Sequence, residues 1–170
     1  PVVVDSPKVE VAVPAAPAME KITLPDGSMI DARTNGFEHG LVACLNDAAC
    51  QAGKDKWFDF DDINFDLNSA VITEPSMRQV KNLVAVLKAF PKAKIKIGGY
   101  TDKTGNEDAN KKLSGDRAAA VLAALKANGA SEAQLLGAEG YGSEFAKVAK
   151  EASEEERRVD RRISVSLREK

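Results

Sequence analysis

The chain has 170 residues, and its 24 basic and 26 acidic side chains leave a formal net charge of -2 at pH 7. Such a chain has no overall positive field to attract nucleic acid or anionic lipid, so a bound anion must be held by a local site. No segment approaches the roughly 18 consecutive apolar residues of a membrane-spanning helix, and no secretory signal opens the sequence. Because the first residue is Pro1 rather than methionine, we expect an export signal or membrane anchor upstream of it.

The N-terminal third predicts a linker followed by a small subdomain. Residues 1–18 combine proline, alanine and valine without periodicity, which is typical of a flexible linker. Residues 19–56 are expected to form a hairpin-helix subdomain that packs on the rest of the chain. Apolar residues flank the turn sequence Pro-Asp-Gly at 25–27, which predicts the hairpin. Apolar residues recur at three- and four-residue steps over 35–46, which predicts the helix.

Two cysteines, Cys44 and Cys50, permit one disulfide in an oxidising compartment or two free thiols in a reducing one. Residues six apart on an unbroken helix are turned about 240 degrees from each other, which forbids a bridge. A disulfide therefore requires the helix to end near residues 46–47. The chain contains a single histidine, His39, so no metal site is expected.

From Trp57 onward the pattern predicts strands that alternate with helices. Residues 57–65 alternate apolar and polar positions with a one-residue slip at 61–62, which predicts a bulged strand. Three further strands are expected at residues 94–99, 134–142 and 163–168. Four strands interleaved with helices indicate an α+β protein of order βαβαβαβ, a two-layer sandwich in which helices cover one face of a four-stranded mixed sheet.

The loop after the second of these strands and the helix that follows it carry the most informative polar residues. Asn110, Leu113, Ser114 and Arg117 fall on one helical face, which can look back at Asp102 in the loop. A carboxylate and a guanidinium on one cavity suit a ligand with an ammonium and a carboxylate on the same carbon. Arginine donates two parallel hydrogen bonds to a carboxylate. From spacing alone, an ordinary surface ion pair is the commoner explanation.

The segment GYTDKTGNEDANKKLSGDRAAAV, residues 99–121, resembles the signature of OmpA-like peptidoglycan-binding domains. In that signature a Thr-Asp pair, a glycine, Asn, Leu-Ser and Arg-Ala follow at this spacing, and the resemblance extends over about residues 57–168. It implies that Asp102 binds the ammonium of diaminopimelate in the peptide stem and that Arg117 binds its carboxylate. It also implies that six further residues line the same pocket: Asn68, Thr101, Thr104, Asn110, Leu113 and Arg161.

Two positions depart from the family pattern. Tyr100 stands where the family commonly has histidine, and Asp160 replaces the usual asparagine before a double arginine. A carboxylate at Asp160 would either pull the Arg161 guanidinium away from a ligand or hold it in place, and the sequence leaves both alternatives open. The departure concerns the expected affinity more than the identity of the ligand.

The resemblance implies a non-catalytic domain, without a cofactor, that tethers an envelope protein to the wall in the periplasm of a Gram-negative bacterium. An alternative is a periplasmic protein-interaction or signalling domain on the same fold, in which residues 19–56 dock an envelope protein and wall binding is secondary or lost. A hydrolase would need an activated nucleophile or paired acids, and none is evident. The glycine-rich loop lacks the Gly-Lys-Ser/Thr ending of nucleotide-binding loops.

Overall fold

The computed structural model describes residues 18–66 and 69–170, so nearly all of the predicted linker lies outside the described residues. The described chain opens with an antiparallel hairpin of β1 (Met19–Thr23) and β2 (Met29–Arg33). In its turn Gly27 has φ 89°, a left-handed conformation that glycine adopts without a Cβ clash. The predicted hairpin is confirmed.

Helix α1 (Phe37–Asn46) follows the hairpin and ends where a disulfide requires it to end. Beyond the helix the chain turns back, which brings the Cα atoms of Cys44 and Cys50 to 5.2 Å, and the two residues form a disulfide. The ammonium of Lys170 donates to the carbonyl oxygens of both cysteines, so the same turn also fixes the end of the last strand.

The remaining elements form one four-stranded mixed sheet with helices between the strands. The strands are β3 (Trp57–Asp59), β4 (Lys94–Tyr100), β5 (Leu135–Gly140) and β6 (Arg162–Glu169). The intervening helices are α2 (Met77–Ala89), α3 (Glu107–Ala127) and the short α4 (Glu154–Arg157). The sheet order is β3-β6-β4-β5, in which β4 and β5 are parallel and the other pairs antiparallel. The predicted βαβαβαβ order and mixed sheet are confirmed.

The predicted bulged strand over residues 57–65 is confirmed only over Trp57–Asp59, with one further hydrogen bond from the N–H of Phe60 to Ile163, and its predicted continuation to residue 65 is wrong. The next two carboxylates bond to the N-terminal elements instead of lying along a pleated edge. Asp61 accepts a hydrogen bond at 2.8 Å from the first N–H of α1, that of Phe37. Asp62 forms ion pairs with one arginine on β2 and another on α2. These contacts direct the chain away from the sheet and join it to the hairpin and α1.

The main core lies between one face of the sheet and helices α2 and α3. Several side chains from both layers are completely buried: Ile97, Val165, Leu167, Val80, Leu83, Val86, Val121 and Leu125. A Cβ atom on Gly99 would lie 2.1 Å from the carbonyl oxygen of Ser114, so α3 approaches β4 as closely as a glycine permits. This approach holds the N-terminal half of α3 beside the loop that follows β4.

Within the described ranges, none of the helices is both long enough and apolar enough to span a membrane.

Candidate ligand-binding site

The loop between β4 and α3 holds Asp102 in a fixed orientation. This residue is only 3% exposed. Its Oδ1 oxygen accepts hydrogen bonds from the backbone N–H of Thr104, at 2.9 Å, and from the Thr104 hydroxyl. Asn110, on the first turn of α3, donates from Nδ2 to the carbonyl oxygen of Thr104 at 2.7 Å. The loop is therefore fixed to the helix, and one carboxylate oxygen of Asp102 is occupied by the loop itself.

The other oxygen of Asp102, Oδ2, faces two guanidinium groups. Nη1 of Arg161 donates to it at 3.1 Å, and Nη1 of Arg157 lies 3.6 Å away. Burial alone would raise the pKa of Asp102, but the hydrogen bonds from Thr104 and the charges of Arg161 and Arg157 outweigh it, and the net pKa is lowered. The carboxylate is thus ionised throughout the neutral range.

Arg117, on the middle of α3, provides the opposite charge. Its Nε donates to the carbonyl oxygen of Ser69 at 2.8 Å, and its guanidinium carbon lies 4.9 Å from the ring centroid of Phe65. Burial, together with the charge of Arg161, lowers the pKa of Arg117, which nevertheless stays protonated. No carboxylate among residues 18–66 and 69–170 forms an ion pair with Arg117. The guanidinium is therefore oriented by neutral contacts and available to an anionic group.

Asp102 and Arg117 line the same cavity, whose volume is about 550 Å³. Five more of the residues predicted from the sequence line it with them: Thr101, Thr104, Asn110, Leu113 and Arg161. The structure thus brings seven of the eight predicted residues together. The eighth, Asn68, lies outside the described residues.

Sequence reasoning missed several charged groups of this cavity. Glu154, Arg158 and Arg162 also line it, and Arg157 contacts Asp102 directly. The available signal was only the density of arginines in the charged run after residue 153, because α4 ends at Arg157 and β6 begins at Arg162, so helical spacing does not relate these residues. The lining contains four guanidinium groups and two carboxylates. Its net positive charge suits a ligand that carries more carboxylates than ammonium groups.

Asp160 does neither of the two things that its sequence position suggested. It is 1% exposed, and its carboxylate accepts hydrogen bonds at 2.9 Å from the backbone N–H groups of Lys147 and Val148. Arg161 is paired instead with Asp102 and with Glu154. Asp160 therefore fixes the loop that precedes α4.

Metal ligands are not grouped at this site or elsewhere in the described part of the chain. No set of three or more His, Cys, Asp or Glu side chains there is arranged to hold an ion. The chemistry that the cavity offers is recognition of charged groups by ion pairs and hydrogen bonds.

Comparison with known proteins matches the sequence of this chain to one family. The model of the OmpA family matches residues 64–162. Outer membrane porin F of Pseudomonas fluorescens is 35% identical over 106 residues, which cover 62% of this chain and 32% of that protein. Peptidoglycan-binding protein ArfA of Mycobacterium tuberculosis is 38% identical over 92 residues, which cover 54% of this chain and 28% of that protein. The matched region is thus only about a third or less of each of these relatives.

A solved structure agrees with the sequence relatives. The peptidoglycan-associated lipoprotein from Burkholderia pseudomallei has a TM-score of 0.54 at 26% identity, and the match covers 75% of this chain and 99% of that one. The family match at residues 64–162 spans more than half of the chain and includes all eight residues predicted to line the cavity. On this evidence the chain belongs to the OmpA family.

Proposed function

We propose that this chain is a non-catalytic domain that binds peptidoglycan and tethers an envelope protein to the wall, and that its cavity receives the diaminopimelate of the peptide stem. The observation that carries the proposal is the placement of an ionised carboxylate, Asp102, and a guanidinium without a carboxylate partner in the described ranges, Arg117, on one cavity. The names of two proteins similar to this chain, ArfA and the Burkholderia lipoprotein, refer to peptidoglycan.

The free end of a diaminopimelate side chain carries an ammonium and a carboxylate on one carbon. In this proposal the ammonium binds Oδ2 of Asp102, displaces the long 3.6 Å contact from Arg157 and shares the oxygen with Arg161. The carboxylate accepts hydrogen bonds from Arg117, each worth roughly 1.5 to 3 kcal/mol. Leu113, which is partly exposed in the cavity, contacts the methylene groups of the diaminopimelate side chain.

The remaining charge of the cavity suits the rest of the stem. Arg158, Arg161 and Arg162 add positive charge beyond that of Arg117, whereas Glu154 is the one further acid in the lining. A stem with a free C-terminal carboxylate brings negative charge in excess of its ammonium. The excess of guanidinium groups therefore favours the stem over a free zwitterionic amino acid.

Weak binding at each site is sufficient for a tether. A wall presents many identical stems close together, so release from one stem is followed by capture of the next. We place the domain in the periplasm, because peptidoglycan lies there. The name of the relative porin F, which refers to the outer membrane, supports a place in the envelope.

The test is binding of two site variants to diaminopimelate-type peptidoglycan by pull-down and calorimetry. Asp102→Asn and Arg117→Ala should each abolish capture while leaving the circular dichroism spectrum unchanged. Matched controls are Asp108→Asn, at an exposed position of α3, and Lys92→Ala, at an exposed position before β4, both of which should bind like the wild type. Retained binding by both site variants would refute the proposal.

A further inference from the structure

The face of the sheet opposite to helices α2 and α3 carries four aromatic side chains, here called the aromatic cluster: Trp57, Tyr100, Tyr141 and Phe145. Neighbouring ring centroids in the cluster lie between 5.2 and 6.2 Å apart. The rings of Trp57 and Tyr141 pack over Gly98, where a Cβ would lie 2.8 Å from the indole. The absence of a side chain at Gly98 thus lets the rings lie against the sheet.

A second cavity, of about 490 Å³, is lined by this aromatic cluster and by polar side chains of both charges. The polar lining consists of Lys54, Asp55, Asp59, Arg162, Ser164 and Arg168. Phe145 is 50% exposed and lies beside three other aromatic rings, so its ring is accessible as part of a contiguous aromatic surface. An aromatic surface beside hydrogen-bond donors and acceptors is the composition of a ligand site.

The second cavity adjoins the cavity of Asp102 and Arg117. Tyr100 and Arg162 line both cavities, and the guanidinium carbon of Arg162 lies 4.2 Å from the Tyr100 ring centroid. These two stacked side chains form the wall between the cavities. A ligand that extends past this wall occupies both cavities at once.

We propose that the aromatic cluster is a subsite for the glycan strand of peptidoglycan, an inference that rests on the function proposed above. The stem is covalently joined to a sugar, and diaminopimelate is separated from that sugar by two residues. At 3.3 to 3.6 Å per extended residue, these two residues alone span up to about 7 Å, and the lactyl group and the side-chain linkage of the glutamate lengthen the connection to more than about 10 Å. A ligand of that length can extend from the first cavity into the second, because the two adjoin across Tyr100 and Arg162.

The chemistry of a pyranose ring matches this cavity. The C–H hydrogens on its faces carry partial positive charge and are attracted to the negative faces of aromatic rings. Its hydroxyl and acetamide groups need both donors and acceptors, which Arg168, Lys54 and Asp55 supply. The core of a protein interface, in contrast, is depleted of lysine, aspartate and glutamate. Lys54, Asp55 and Asp59 in this lining therefore favour a sugar over a protein partner.

The first test uses Trp57, the single tryptophan of the chain, as a reporter inside the aromatic cluster. Titration of the full chain with a peptide-free tetramer of N-acetylglucosamine should change the tryptophan emission to saturation. Asp102→Asn should give the same titration curve, because this residue lines only the first cavity. Phe145→Ala should raise the midpoint at least fivefold. An emission that does not respond to the tetramer would overturn the inference.

The second test compares a stem peptide containing diaminopimelate with the same peptide joined to its disaccharide. The wild type should bind the disaccharide form at least tenfold more tightly. Phe145→Ala should reduce this gain to less than threefold and leave the affinity for the sugar-free peptide unchanged. Leu136→Ala is the matched control, since Leu136 is a 51% exposed apolar residue on β5 that should not alter the gain.

The outcomes separate this inference from the proposed function. If the wild type binds neither form of the stem, the proposed function fails. If it binds the sugar-free stem but gains nothing from the disaccharide, or if the gain persists in Phe145→Ala, only the glycan subsite is overturned. Tryptophan emission that responds to an envelope protein but not to the tetramer overturns the glycan subsite as well.

Discussion

Nη1 of Arg161 donates a hydrogen bond to Oδ2 of Asp102 at 3.1 Å, so the acidic group of the cavity is paired before a ligand arrives. A second contact from Arg161 to Glu154 anchors the guanidinium from its other side. This pairing keeps Asp102 ionised and fixes the oxygen that an ammonium must reach. It also means that the ligand has to share that oxygen with an arginine, which lowers the affinity of a single site.

The pH dependence of binding should follow this pair. The pKa of Asp102 lies below its ordinary value of 3.8, and the binding energy that depends on ionised Asp102 is therefore present at neutral pH and lost as the pH falls through the lowered pKa. Arg161→Gln removes one of the charges that lower this pKa, so the pKa should rise and the loss of binding should begin at higher pH. An NMR titration of the Asp102 carboxyl carbon checks the shift.

Arg158→Gln is the control for that titration. Arg158 lines the same cavity, whereas the ion pairs of Asp102 within the described residues are with Arg157 and Arg161. The control should leave the Asp102 titration close to that of the wild type. An unchanged Asp102 pKa in Arg161→Gln would show that the pair does not hold the carboxylate in its charged form.

Stem selectivity should depend on Arg117. A lysine-type stem offers an ammonium to Asp102 but lacks the carboxylate that Arg117 would bind, so the wild type should bind it about tenfold more weakly or worse, the equivalent of one charge-assisted hydrogen bond. Arg117→Ala should bind both stems with similar, weak affinity. Calorimetry with paired synthetic stems measures both ratios. Equal affinities of the wild type for the two stems would contradict the assignment of Asp102 to the ammonium and Arg117 to the carboxylate of the ligand.

The alternation of strands and helices after residue 57 was predictable because each element has an apolar face of the right period, and β4 lies where the pattern indicates, with α2 before it and α3 after it. The strand predicted over residues 57–65 forms only over Trp57–Asp59, and the course of the remaining residues was not predictable. The alternation of apolar and polar residues resembles a pleat, but the carboxylates of Asp61 and Asp62 bond to α1 and to arginines on β2 and α2. Those contacts depend on how the N-terminal elements pack, which local periodicity does not contain.

The candidate site was likewise predictable from the sequence only in part. Asp102 and Arg117 lie on one loop and the following helix, so their approach follows from short-range spacing and from the family motif. The pairing of Asp102 with Arg157 and Arg161 joins segments more than fifty residues apart. The aromatic cluster likewise combines side chains from β3, from β4 and from the segment that follows β5. Neither was accessible from spacing along the chain.

A buried carboxylate joins the N-terminal elements to α2, and its removal should be costly. Glu38 on α1 is fully buried and accepts hydrogen bonds from Gln79 at 2.8 Å and from Asn82 at 2.7 Å. Glu38→Ala leaves both donors without this acceptor, so the free energy of unfolding should fall by about 3 kcal/mol. Urea denaturation measures the change.

Glu144→Ala, at an exposed position, is the matched control for Glu38→Ala and should change the unfolding free energy by less than about 0.5 kcal/mol. We propose that residues 19–56 form a subdomain that Glu38 holds against residues 57–170. If Glu38→Ala unfolds at the same urea concentration as the wild type, the buried network does not stabilise that contact.

The position of Arg117 should depend on a glycine that touches neither ligand nor guanidinium. Gly99→Ala would place a Cβ 2.1 Å from the carbonyl oxygen of Ser114, a backbone atom that cannot swing aside, so α3 must move away from β4. We expect a loss of about 3 kcal/mol in unfolding free energy, together with weaker stem binding because Arg117 moves with the helix. Gly53→Ala is the control, since a Cβ there has no atom within 4 Å. Wild-type stem affinity in a folded Gly99→Ala protein would show that the cavity tolerates a shift of α3 and that close packing of this helix on β4 does not position Arg117.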